Sequence, residues 1–321
     1  MKTRATRKRY LPLDLARVTT YPLAARKSQV ALEDFALAHK RGGSLKTFLA
    51  SLPDILAGRS LRALVVDVRR ARARKKPIVW GLGAHVLKVG LSPILIDLME
   101  HGFLTGVALN GAGIVHDFEL ALTGQTSEDV ASSLGKGGFG MARETAEGLN
   151  RAIVEGDADG LGLGAAVGRH LVAVRARHRN MSLLAACFSR GIPATVHVAL
   201  GTDIIHMHPS CEPGAVGRAT HLDFRLFASQ VAELGGGGVY LNVGSAVILP
   251  EVFLKAVTLA RNLGHPLRDF ATANLDFIQS YRPNTNVVER PTRGSGRGYR
   301  LTGHHEILVP LLAAALIEGS P

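Results

Sequence analysis

The chain has 321 residues, with Lys+Arg 38 against Asp+Glu 26 and a formal net charge of +12. Aromatic residues make up only 5% while Gly reaches 36, which argues against an aromatic-rich β-sandwich and for tight turns with close helix–sheet packing. No apolar run of about 18 residues or more occurs, so no membrane span is expected, and the basic N-terminus leads into no apolar segment of the kind a secretory signal needs.

Residues 1–30 read as an irregular basic arm carrying Pro12 and Pro22, and 31–321 as a single domain. Basic runs at 1–9 and 69–76 raise a nucleic-acid reading. No aromatic residues interleave them to stack bases, so a solvated tail and a helix end are preferred. A third reading docks the arm on a neighbouring subunit. The two cysteines, Cys187 and Cys211, carry neither a metal-ligand spacing nor a disulfide framework, which fits a reducing cytoplasm.

From 44 to about 75 the apolar positions Leu45, Phe48, Leu49, Leu52, Leu61, Leu64 and Val65 recur at helical spacing, with breaks at Pro53 and Gly58. Residues 77–83 are a short apolar run ending in glycines, which predicts a buried parallel strand and its turn. A helix is expected over 86–101, a second strand over 105–110 and a second helix over 114–122. That alternation is the mark of βαβ units and a mostly parallel sheet in a three-layer α/β/α fold. The segment 127–191 reads as mostly helical, with a glycine-rich mobile loop at 135–140. Further strands are expected at 194–200, 239–243 and 270–277, and helices at 221–234, 250–262 and 306–317. The Pro-, Gly- and Arg-rich stretch 281–300 reads as a long loop.

Glycine or polar turns at 81–85, 110–113, 201–203 and 235–238 are expected to share the carboxyl edge of the sheet, where a parallel sheet binds ligands. Glycine lets backbone N–H groups approach a phosphate, although the same turns could merely close βα connections. His85, His116, His197, His206, His208, His304 and His305 fall at or near that edge. A metal reading of the paired histidines is weaker than a polar pocket, since no carboxylate or cysteine completes a motif; no metal is assigned. Asp117, Asp203, Glu251 and Glu306 could hold an amine or a ribose hydroxyl, while Asp117 and Glu119 could equally serve a helix N-terminus.

Taken together, these segments resemble the deoxyhypusine synthase family over about residues 20–318. The similarity runs through GLGAHVLKVGL at 81–91, NGAGIVHDFEL at 110–120, GTDIIHMHP at 201–209, LGGGGV at 234–239 and GHHEILVPLLAAAL at 303–316. The resemblance implies a Rossmann-like NAD-binding fold, a tetramer, NAD as cofactor and a polyamine-type amine substrate. It places Gly83, Ala84, His85, Lys88, Asn110, Gly111, Ala112, Gly113, Asp117, Gly236, Gly237 and Gly238 on the cofactor. It places Asp203 on a substrate-binding aspartate, and Asn242 near an active-site histidine of the family. His304 stands for an aspartate that touches the cofactor, and Val115 and His116 stand for two glutamates. The family's nucleophilic lysine lies in a Trp-Gly-Lys motif, but here 290–303 holds neither Trp nor Lys and no lysine follows Lys255. Arginine cannot replace it, because a guanidinium stays protonated. An altered, NAD-dependent amine oxidation or transfer is therefore expected, with His116, Asp203, His304 and His305 as catalytic residues and His116 or His304 as general base. The rivals are a conventional aminobutyl transferase and a non-catalytic dinucleotide-binding protein.

Overall fold

A computed structural model describes residues 10–319. The basic run at 1–9 lies outside the described residues. Residues 10–44 contain three short 3-10 turns and no buried side chain. The helices are then α1 (Leu45–Ser51), α2 (Leu56–Ala73), α3 (Ala84–Lys88), α4 (Ser92–Glu100), α5 (Gly111–Thr123), α6 (Val130–Leu134), α7 (Arg143–Ala158), α8 (Leu163–Ala173), α9 (Leu183–Arg190), α10 (Pro213–Ala232), α11 (Ile248–Asn262), α12 (Tyr281–Pro283) and α13 (His305–Glu318). A π-helical stretch, Asn284–Glu289, continues α12. The strands are β1 (Ile78–Leu82), β2 (Gly106–Asn110), β3 (Ala194–His197), β4 (Val239–Val243), β5 (Ala271–Asp276) and β6 (Arg297–Thr302).

All six strands form one parallel sheet in the order β3-β2-β1-β4-β5-β6. The chain winds outward from β1 to β3, crosses back through α10, and winds the other way from β4 to β6. Its direction reverses between β1 and β4, and a crevice at the carboxyl ends of strands is expected there. This is the three-layer α/β/α, Rossmann-like arrangement read from the sequence.

The central strands are buried on both faces, which is why they read as short, mostly apolar runs, broken in β4 only by Asn242. Trp80, Leu82, Leu109 and Leu241 belong to the core shared with α2, α4, α9 and α13. Val79, Ala108 and Tyr240 belong to the other core, with Phe227 of α10 and Phe253 of α11. Tyr240 stacks on Phe253 at 3.9 Å between ring centroids.

Side chains seal the β3 edge of the sheet and anchor β6 at the other. Along β3, Asp223 of α10 accepts the Val196 N–H at 2.8 Å and the Gly164 N–H at 3.0 Å. Thr220 donates to the Val196 carbonyl at 2.8 Å and accepts from the Val198 N–H at 3.2 Å. Along β6, the buried Asp67 of α2 receives Arg297 at 2.7 and 2.9 Å and the Tyr299 hydroxyl at 2.7 Å. The β3 edge, with these backbone groups taken, is a poor template for pairing with another chain.

Five expectations change. The stretch 281–300 is not a loop: it holds α12, the π-helical segment and most of β6. The helix expected over 86–101 is two helices, separated at Gly90, which has a φ of +82°. The strand expected over 194–200 ends at His197, and α10 starts at Pro213 instead of 221, capped by the Glu212 carboxylate. The glycines 235–238 precede β4, so they lie at the amino edge of the sheet and not the carboxyl edge.

The sealing of β3 has a pH signature. Asp223 Oδ2 takes both N–H groups while Oδ1 is buried without a partner. Burial pushes the carboxyl from 3.8 up to about 7. The unfolded chain therefore ionises first as pH rises, and this group's contribution to stability is present below 3.8 and lost as pH rises to about 7. Relative to wild type, Asp223→Asn should gain unfolding free energy as pH rises across that window, measured by urea titration. A difference that stays constant with pH would remove Asp223 as the source.

Candidate functional site

The turns after β1, β4 and β6 meet where the sheet reverses. The Gly83 N–H donates to the Val243 carbonyl at 2.8 Å. A β-carbon at Gly83 would fall 1.9 Å from the Gly244 carbonyl oxygen, so the two turns touch backbone to backbone. A β-carbon at Gly244 would fall 2.8 Å from His305 Cε1. The His305 ring is buried, and neither of its nitrogens has a hydrogen-bond partner. Asp276 Oδ1 lies 3.6 Å from its Nε2. Desolvation holds the His305 pKa below the ordinary 6.5, against the opposing pull of Asp276. His85 approaches at 5.5 Å between ring centroids. Phe277 packs on His85, His304 and His305, and the His304 side chain is exposed. No side chain caps the start of α3 or α13. Free helix-start N–H groups, exposed His85 and Lys88, and an unpartnered buried imidazole fit a phosphate-bearing cofactor.

Beside this rim lies an acidic cavity of about 300 Å³. Ala112, His116, Glu119, Glu128, Phe139 and Asp203 are among its lining residues. Within it His116 Nδ1 meets Thr126 Oγ1 at 2.7 Å, and Thr126 Oγ1 donates to Glu119 Oε2 at 2.6 Å. Thr145 donates to the other Glu119 oxygen at 3.0 Å. The single Thr126 proton goes to the carboxylate, so His116 Nδ1 must be the donor and Nε2 keeps its lone pair. Desolvation lowers the His116 pKa, Glu119 raises it, and Lys88 and His85 lower it. The net shift is downward, which favours the neutral base. Asp203 comes from the turn after β3, with its carboxylate over the start of α5: a β-carbon at Gly111 would fall 1.9 Å from its Oδ2. Burial raises its pKa. His206 Nδ1 accepts from the N–H groups of Gly201 and Asp203, at 3.2 and 3.4 Å, and so fixes the turn.

The structure thus brings Gly83, Ala84, His85, Lys88, His304 and His305 to one part of the rim. It brings Gly111, Ala112, His116 and Asp203 to the neighbouring part. Asn110 Oδ1 accepts the Gly113 N–H at 3.1 Å, so these two residues start α5. Gly236, Gly237 and Gly238 are at the opposite edge, beside Lys76 and Arg74, and do not belong to this site. Nor does Asp117. Its carboxylate is fully buried and caps α9, accepting from Ser182 Oγ at 2.6 Å, Leu183 N–H at 2.7 Å and Leu184 N–H at 3.1 Å. Helix α5 begins at Gly111, so neither Asp117 nor Glu119 sits in its first turn.

His197 is also interior. It packs on Phe227, and burial pushes it down to about 3. His208 turns away from His206 to Ser210 at 2.8 Å. Glu251 pairs with Lys255 and Asn286. Among the described residues no group of three or more His, Cys, Asp or Glu is arranged to hold a metal ion. Sequence reasoning missed Thr126, Glu128 and Phe139, and it missed the Gly244–Ser245 turn. The turn was visible as Gly-Ser after an apolar run; the relay, bridging ten positions, had no sequence signal.

No protein-family model matches the chain, and no curated protein sequence does. Solved structures share the fold. AgrE, solved with ornithine and NAD+, matches with TM-score 0.54 and 16% identity, over 81% of this chain and 33% of its own. A candidate LOR/SDH protein of Methanococcus maripaludis S2 matches with TM-score 0.53 and 13% identity, over 83% and 71%. A candidate deoxyhypusine synthase of Entamoeba histolytica matches with TM-score 0.51 and 11% identity, over 89% and 97%. The chain spans about a third of the length of AgrE and of ArgZ, a cyanobacterial arginine dihydrolase that also matches. At these identities the likeness is one of fold.

The contact between the β1 and β4 turns should be intolerant. Gly83 has an ordinary φ of −70°, so only the neighbouring carbonyl forbids a side chain. Gly83→Ala should cost about 2 kcal/mol or more in urea unfolding. A change within about 0.5 kcal/mol would mean that the turns part without cost.

Proposed function

We propose that the protein is an NAD-dependent enzyme, similar to deoxyhypusine synthase, that oxidises an amine carried as a cation. One observation carries this: a carboxylate-oriented imidazole, His116, shares a cavity with Glu119, Glu128 and Asp203 directly beside the reversal point of the sheet. The carboxylates favour an ammonium group, and Phe139 offers it an aromatic face. Bound NAD+ would supply the hydride acceptor. His116 Nε2 would take the proton that leaves nitrogen as the C–N bond becomes C=N, and Thr126 and Glu119 would hold the resulting imidazolium. In balance, R–CH2–NH3+ and NAD+ give R–CH=NH2+, NADH and a proton.

Gly83, Ala84, His85, Lys88, Gly244, His304 and His305 would hold the cofactor. The start of α5 already carries Asp203, so Gly111 and Ala112 would face substrate and not phosphate. Transfer through an imine on Lys255 lacks support, because that side chain is exposed and paired with Glu251. The resemblance carries a cytoplasmic homotetramer with this reading.

The test is thermal and kinetic. NAD+ at 100 times its dissociation constant should stabilise the fold by about 2.7 kcal/mol. No stabilisation by NAD+ or NADH would end the reading. His116→Ala should retain NAD+ binding and lose at least about a hundredfold in NADH production from amines. In the wild type, kcat/KM should fall as pH drops through the His116 pKa, which lies below 6.5. Turnover by His116→Ala at the wild-type rate would take His116 out of the mechanism.

A further inference from the structure

A second concavity, of about 600 Å³, lies away from the rim, in the outer layer between α4, α9 and the loop that follows α8. Its floor is apolar, formed by Ile96, Val172, Ala185 and Ala186. Its walls carry Arg177, Arg179, Asn180 and Arg190. Arg190 is pinned to Glu100. Arg177 and Arg179 have no carboxylate within ion-pair distance among the described residues, although both are exposed on a rigid backbone. That backbone is fixed by bonds from Ala176 N–H to Leu171, His178 N–H to Ala121, Arg179 N–H to Ala176 and Met181 N–H to His178.

Two guanidinium groups without carboxylate partners, two positions apart on a fixed loop, favour a multiply charged oxyanion; Arg179 keeps free N–H donors beyond its bond from Nη1 to the Ala176 carbonyl at 3.4 Å. The apolar floor favours a flat, weakly polar body attached to it. The volume lies within the usual range of small-molecule sites, about 300–1,000 Å³. We propose that this groove binds a nucleoside phosphate, with the phosphates on Arg177 and Arg179 and the base on Ile96, Val172 and Ala186. None of these residues belongs to the rim site, so this would be a second nucleotide site with a role outside the hydride chemistry.

The probe is a fluorescent ATP analogue, followed by anisotropy on the full chain. Arg177→Ala/Arg179→Ala should weaken binding at least tenfold, while Lys88→Ala, which perturbs the rim, should change it less than twofold. Both arginines are exposed, so the variants should fold, and circular dichroism is the check on that. Unlabelled ATP should displace the probe at least tenfold more effectively than inorganic pyrophosphate. Equal binding by wild type and the double arginine variant would overturn the proposal, as would loss of binding on Lys88→Ala alone. Displacement by pyrophosphate as effective as that by ATP would overturn the nucleoside part, leaving an anion site only.

Discussion

The contact that organises this molecule is the one between two turns, at Gly83 and Gly244. A parallel sheet leaves its carboxyl edge open only where the winding reverses, and here that gap is pinched to backbone contact. Everything on the rim takes its position from this pinch. The His305 ring lies against Gly244, His85 and Phe277 pack on His305, and α3 and α5 lie side by side beyond. Because these are main-chain contacts, small changes of side chain elsewhere cannot readily open them. The rim is therefore stiff, which suits a site that must hold two groups at a fixed separation.

The division of charge follows from the same geometry. The chain carries +12 overall, yet the cavity beside the pinch is lined by Glu119, Glu128 and Asp203. Long-range attraction would favour anions. At physiological salt, however, charges separated by more than about 8 Å are largely screened, so a ligand inside the cavity responds to the nearest groups. Lys88 lies on the adjacent part of the rim and supplies the opposite sign. One rim can thus accept an anionic cofactor and a cationic substrate without either crossing the other's field.

Legibility in the sequence followed burial. β1, β2 and β4 were readable because both faces are covered and nearly every residue is apolar or glycine, Asn110 and Asn242 being the exceptions. β6 was not, because four of its six residues are exposed and its hold on the fold is ionic, from Arg297 and Tyr299 to Asp67 some 230 positions earlier. The start of α10 was hidden by Gly214, Gly217 and Thr220, although Glu212 before Pro213 is an N-terminal signal that could have been used. The run of four glycines misled for a directional reason. It enters β4 instead of leaving it, and composition does not distinguish the two ends of a strand. The histidines at 85, 116, 304 and 305 were legible as a group, since they follow strands. Their partners were not: Thr126 and Asp276 reach them only through tertiary packing.

The two buried aspartates show how the same residue type acquires different work. Asp117 and Asp223 both sit in apolar surroundings, and burial pushes both upward, to about 6 and about 7. Each accepts backbone N–H groups at a helix start, α9 for one and α8 for the other. Neither faces the cavity. Asp203 and Glu119 do, and they differ in lining that cavity beside an imidazole, His206 near Asp203 and His116 linked through Thr126 to Glu119. A raised pKa alone would have nominated Asp117 and Asp223 as catalytic. What separates the pairs is access. A carboxylate closed off from the cavity and bonded to helix-start N–H groups is part of the scaffold, and one that shares a cavity with an imidazole can take part in chemistry.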